Sequence, residues 1–200
     1  MPKTELPQDI FEDEDELALR TFEQNREQMI SFHEQLAGLN KENVMPEGIR
    51  VEAQQGIREF RKTKLIIEDE IKILSKKGLR ASAELDVVVA RLSLALYLYN
   101  RVEEMYHTVL ERNSLSLYAL FAPVREEVKK MLSAEFFKKS TKDIIMDYLR
   151  IEAMFVACNK VCGLPVLTIS DAVKQYKLEL RKELIKIMTT GKTKTKSGGR

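Results

Sequence analysis

The chain of 200 residues carries 33 Lys+Arg against 31 Asp+Glu, with 44% apolar residues, no Trp and five Pro. This excludes a collagen-like, low-complexity or wholly disordered polymer and leaves enough apolar surface for one substantial core. The net charge of +2 hides an uneven distribution: residues 1–20 hold seven acids and two bases, residues 21–173 hold 22 of each, and residues 174–200 hold nine bases and two acids. Any phosphate binding therefore falls to one end of the chain or to an oligomer that gathers several ends.

Apolar residues recur at three and four positions almost throughout, and no pair of strands with a turn between them is visible, so the sequence predicts an all-α helical bundle. A first helix is expected to start in the acid run Glu12 to Glu16, which suits a helix N-terminus, and to reach about Leu36 with Phe22, Met29, Phe32, Leu36 and Leu39 on its inner face. Gly38, Asn40, Asn43, Pro46 and Gly48 then separate an acidic N-terminal helical arm, residues 1–45, from a helical core, residues 46–167.

The second helix is expected from about Val51 to Lys77, with Ile57, Phe60, Ile67, Ile71 and Leu74 inward and Lys64 in the one polar slot of that stripe. Lys76-Lys77-Gly78 is its stop, Gly78 serving as a left-handed cap and Leu79 as the apolar partner of that cap. The third, about Ser82 to Arg112, carries Leu85, Val88, Leu92, Ala95, Tyr99, Val102, Tyr106 and Val109 in unbroken 3-4 spacing. It is apolar over so much of its circumference that it belongs in the middle of the bundle. Ser82 with Glu84 and Asp86 is its cap and first-turn charge.

Asn113 to Pro123 reads as an apolar connection, and Leu115, Leu117, Tyr118, Leu120 and Phe121 within it are expected to be packed down or covered by a second copy of the chain. A fourth helix follows from about Pro123 to Lys139, with Val124, Val128, Leu132 and Phe136 inward. The fifth, about Thr141 to Cys162, opens on the capping sequence Ser140-Thr141-Lys142-Asp143 and turns Ile145, Tyr148, Leu149, Phe155, Val156 and Cys162 inward. Gly163-Leu164-Pro165 ends it. Thr168-x-x-Asp171 starts a C-terminal helix, residues 168–190, with Val173, Tyr176, Leu180, Leu184 and Ile187 on one face. Gly191 to Arg200 has no apolar residue and is expected to be a disordered basic tail.

Chemistry-bearing motifs are few. Cys158 and Cys162 lie one helical turn apart with no second Cys pair, which reads as two buried thiols in a reducing, cytoplasmic compartment. Glu104-x-x-His107 has the spacing of a di-iron ligand pair, but the only other histidine, His33, has Ile30 three residues before it. Gly191-Lys192-Thr193 matches the end of a phosphate-binding loop, but the required earlier Gly is Lys186. No leader or apolar span of ~18 residues is present, so no membrane partner is expected. The expectation is a non-enzymatic protein with no cofactor and no metal. Its candidate phosphate contacts are Arg58, Arg61 and Lys62 on the second helix and Lys177, Arg181, Lys182, Lys192, Lys194 and Lys196 at the C-terminal end.

Residues 66–171 resemble the small terminase subunits of tailed bacteriophages. The resembling features are the helix ending Lys77-Gly78-Leu79, then Glu84-Leu85-Asp86 opening a long helix that contains Leu92, Tyr97, Tyr99 and Met105. A later helix, Met154 to Cys162, closes on Gly163-Leu164-Pro165. The resemblance implies a homo-oligomeric DNA-packaging component that engages viral DNA and presents it to the large ATPase–nuclease subunit, in the host cytoplasm. A helical protein–protein adaptor whose tail is merely solvated is the competing class.

Overall fold

The computed structural model describes residues 23–36, 44–77 and 83–194. The expected helix start at Glu12 to Glu16, with Phe22, Leu39, Gly78, Leu79 and Ser82, lies outside them. The described chain is an all-α bundle: α1 (residues 23–36), α2 (Glu47–Phe60), α3 (Lys62–Lys77), α4 (Ala83–Arg112), α5 (Leu115–Met131), a 3-10 turn (Phe136–Lys138), α6 (Thr141–Cys162) and α7 (Ile169–Lys194). Among the described residues the only extended pairing is an isolated bridge between Val44 and Ser114.

The long α4 is the centre, packed against α2, α3, α5, α6 and α7. Leu92, Ala95, Leu98, Tyr99, Val102, Met105, Tyr106 and Val109 are all buried along it. Its aromatic rings key the neighbours in place. Tyr99 stacks on Phe60 of α2 at 5.2 Å, Tyr106 meets Phe121 of α5 edge-on at 4.5 Å, and Tyr97 meets Phe155 of α6 and Tyr176 of α7 at 5.9 and 5.6 Å.

Local signals account for several helix ends. Ser140 accepts a hydrogen bond from the Asp143 amide at 3.2 Å, and Thr168 accepts one from the Asp171 amide at 3.1 Å, each satisfying a donor at a helix start. Gly163 sits in the left-handed region at φ 74°, which lets its own amide reach Lys160 O and the Leu164 amide reach Asn159 O. Arg112, at the end of α4, donates to the carbonyl oxygens of Val161 and Cys162, placing a cation at the negative end of α6.

Several expectations require correction. The stretch read as a second helix is two helices that break at Arg61, and the polar slot of its buried stripe belongs to Thr63, whose hydroxyl donates back to the Phe60 carbonyl; Lys64 is exposed. The Leu115 to Phe121 connection is helical, capped by Ser114, which accepts from the Leu117 amide at 3.3 Å. Pro123 lies inside that helix on an exposed face, where the carbonyl it leaves unbonded, that of Ala119, is within reach of water. The helix stops at Met131 rather than Lys139, although Val124, Val128, Leu132 and Phe136 are buried as expected.

On α1, Met29, Phe32 and Leu36 are exposed, and Ile30 is the buried residue, seated on Val156 and Ala157 of α6. On α6, Ile144 and Ile151 face inward while Ile145 is exposed. Finally, the backbone of α7 stays helical through Gly191 to Lys194, because Gly weakens a helix without ending it and lysines suit a helix C-terminus.

Candidate nucleic-acid interface

The structure divides the predicted cations into two groups on different flanks. Arg58, Arg61 and Lys62 surround the α2–α3 break, beside the middle of α4. Arg58 and Lys62 are exposed without a carboxylate partner among the described residues, whereas Arg61 donates to Glu103 at 2.8 Å. A cavity between α3, α4 and α7 is lined there by Lys64, Glu68, Asn100 and Glu179, so acids interleave with the bases.

The second group lies on α7. Lys177 pairs with Asp86 of α4 at 3.3 Å, while Arg181 and Lys182 are exposed with no carboxylate partner among the described residues. Lys177 and Arg181 point to one side of α7 and Glu179, two residues away, to the other, because each residue turns the helix by about 100°. The two groups therefore do not merge into one patch. Lys192 and Lys194 lie on the final turn of α7, and Lys196 lies outside the described residues.

The proposed interface residues resolve differently. Leu117, Tyr118, Leu120 and Phe121 are buried by their own chain, with Leu115 partly so. They pack toward α2, α4 and α6: Tyr118 donates to Glu52, Phe121 meets Tyr106, and the Leu120 carbonyl accepts from Cys158. Their apolar character comes from an interior helix, which the Asn113 turn and the internal proline conceal in the sequence.

Sequence reasoning missed a polar cluster inside the α2–α4–α5 contact. Arg125 of α5 donates to the Tyr106 hydroxyl at 3.0 Å and pairs with Glu126, and both the guanidinium and the hydroxyl lie against the Cβ-free face of Gly56. Burial pushes the Tyr106 and Tyr99 phenols up to about 12. Burial also raises the Cys162 thiol to about 11 and raises the Cys158 thiol well above its ordinary value. These groups stay protonated near neutral pH and behave as core. Both cysteines are buried and free, as the sequence predicts.

Glu104 of the Glu-x-x-His pair is held by Arg101 at 2.5 Å, and His107 is exposed. Among the described residues no three His, Cys, Asp or Glu side chains gather into a metal-binding group, and no helix is long and apolar enough to cross a membrane. Compared with known proteins, the chain matches no family model, no curated protein and no solved structure.

Proposed function

We propose that this chain is a non-enzymatic DNA-packaging component of the small-terminase type, which oligomerises, holds DNA through its phosphates and presents it to a large ATPase–nuclease subunit. The observation that carries the reading is on α7: among the described residues Arg181 and Lys182 have no carboxylate partner, and the helix backbone continues through Lys192 and Lys194. A helix with exposed cations such as Arg181 and Lys182 neutralises phosphates without reading bases. Arg58 and Lys62 form a second, smaller contact. The pairing of Arg61 with Glu103 and of Lys177 with Asp86 makes those two cations weaker contributors than their neighbours.

The test is a salt-titrated DNA shift together with native mass measurement of the particle. Replacing Lys192, Lys194 and Lys196 by Gln lowers affinity for every sequence alike and reduces the slope of log K against log salt by up to about 2.7. A monomer without DNA affinity at low salt refutes the reading.

One observation favours an adaptor instead: Met29, Phe32 and Leu36 of α1 are 52%, 58% and 43% exposed, an apolar strip of the kind that protein partners cover. In that case deleting residues 191–200 leaves every interaction intact.

A further inference from the structure

We infer that the acidic segment Asp9 to Glu16 docks on the basic flank of α7 in the same chain and occupies the surface that DNA requires. This rests on the reading of α7 as the phosphate-binding helix, and it adds a regulatory element to it.

The first support is the direction of the chain. Helix α1 runs alongside α6 in the same sense, since Arg26 pairs with Glu152 at 2.9 Å, Ile30 sits on Val156 and Ala157, and Glu34 pairs with Lys160 at 3.3 Å. Helix α6 in turn runs in the same sense as α4: Arg91 donates to Phe137 O just ahead of α6, Tyr97 meets Phe155, and Arg112 reaches Val161 O. The N-terminal end of α1 is thus directed toward the end of the bundle where α4 begins.

Helix α7 is antiparallel to α4, with Tyr176 against Tyr97 but Leu184 against the cavity formed by Leu85 and Val89. The Arg181 to Lys194 half of α7 therefore lies at that same end. Six residues, 17–22, separate the segment from α1, a tether that reaches at most roughly 25 Å when extended, about the breadth of a helix pair.

The second support is complementarity. At that end a cavity of about 350 Å³ opens between α4 and α7, with Leu85, Val89, Leu180 and Leu184 in its walls and Lys177 and Arg181 at its rim. The segment carries six carboxylates, Asp9, Glu12, Asp13, Glu14, Asp15 and Glu16, around the apolar pair Ile10 and Phe11. An apolar anchor flanked by acids suits an apolar cavity flanked by bases. Asp86, which pairs with Lys177, leaves Arg181 and Lys182 as the principal partners. Because the segment and α7 belong to one chain, its effective concentration at α7 is set by the tether and not by protein concentration, so even weak pairing competes with DNA.

The experiment uses the full chain, as an equal mixture of isotope-labelled and unlabelled protein, treated with a zero-length carbodiimide and mapped by mass spectrometry. Crosslinks from the 9–16 carboxylates to Lys177 or Lys182, within one isotope and lost at about 0.5 M salt, are expected. The Lys139 to Asp147 pair, at 2.6 Å, is the internal control. Recovery of the control without any 9–16 to α7 crosslink overturns the inference, and so do crosslinks of which about half join unlike isotopes, the share that random pairing with a second copy produces.

In parallel, the variant D13N/E14Q/D15N/E16Q is expected to bind DNA about tenfold more tightly than the parent at low salt. Equal binding by the two overturns the competition. Crosslinks in a chain that binds no DNA in either form uphold the docking and refute the packaging role instead.

Discussion

Gly56 sits in the interior of α2, where alanine ordinarily adds about 1 kcal/mol of helix stability. At this position the sign should reverse. A Cβ on residue 56 meets the Tyr106 hydroxyl at 2.6 Å and Arg125 Nη1 at 2.5 Å, far inside the ~3.5–4.0 Å at which such atoms rest. The guanidinium end is the tip of a flexible side chain and can swing away, at the cost of its hydrogen bond to Tyr106. The tyrosine cannot, because its ring is fully buried, edge-on to Phe121 at 4.5 Å and tilted against Phe60 at 6.2 Å. Overpacking of this kind costs about 1–3 kcal/mol and the lost hydrogen bond about 1 kcal/mol more. Set against the propensity gain, Gly56→Ala is expected to destabilise the chain by about 1–3 kcal/mol, a drop of roughly 2–12 °C in Tm for a chain of this size. Urea unfolding followed by far-UV circular dichroism measures it. The companion variant Tyr106→Phe removes the oxygen that the new methyl strikes, so the double variant should lose less than the two single losses added together. A Gly56→Ala chain that is more stable than the parent, or a strictly additive double variant, refutes the account of this contact.

Removing the cap hydroxyl with Ser140→Ala should cost about 1 kcal/mol, read as a lower urea midpoint at unchanged m. Ile30→Ala removes the one fully buried side chain of α1; amide exchange across residues 23–36 should accelerate roughly 30-fold or more while the midpoint of the rest of the chain stays in place, since α1 opens as a local unit. At alkaline pH the sign follows from the buried phenols. Tyr99 and Tyr106 are held up at about 12 against an ordinary 10, so from pH 10 upward the unfolded chain releases protons that the folded chain keeps, and stability falls between pH 10 and pH 12. A urea midpoint that is flat over that window contradicts the burial of these hydroxyls.

Much of the helical framework was legible because helix ends are written locally. The Ser140 and Thr168 caps and the left-handed Gly163 each depend on residues within a few positions of one another, and α6 begins and ends where those residues place it. The centrality of α4 was legible for a different reason: few faces of Ala83 to Arg112 are polar enough to meet water. What failed was information held elsewhere in the chain. Pro123 marks a boundary only if its face is buried, and α5 turns that face outward. The amphipathic stripe of α1 does not name the surface it meets, and docking through Ile30 with the Arg26–Glu152 pair leaves Met29, Phe32 and Leu36 outside. The same holds for the charges. Their segregation along the chain is read directly from the sequence, but the neutralisation of Arg61 by Glu103, 42 residues away, and of Lys177 by Asp86, 91 residues away, exists only in three dimensions.

The distribution of aromatic side chains gives this protein an unusually selective set of optical reporters. The chain has no Trp, and all six of its tyrosines, Tyr97, Tyr99, Tyr106, Tyr118, Tyr148 and Tyr176, are buried on α4, α5, α6 and α7. Near-ultraviolet dichroism and intrinsic fluorescence therefore report the central helices. Release of α1, which contains no tyrosine, removes helical signal in the far ultraviolet and leaves the near-ultraviolet spectrum almost unchanged. The two wavelength regions thus separate loss of the arm from loss of the core without any label.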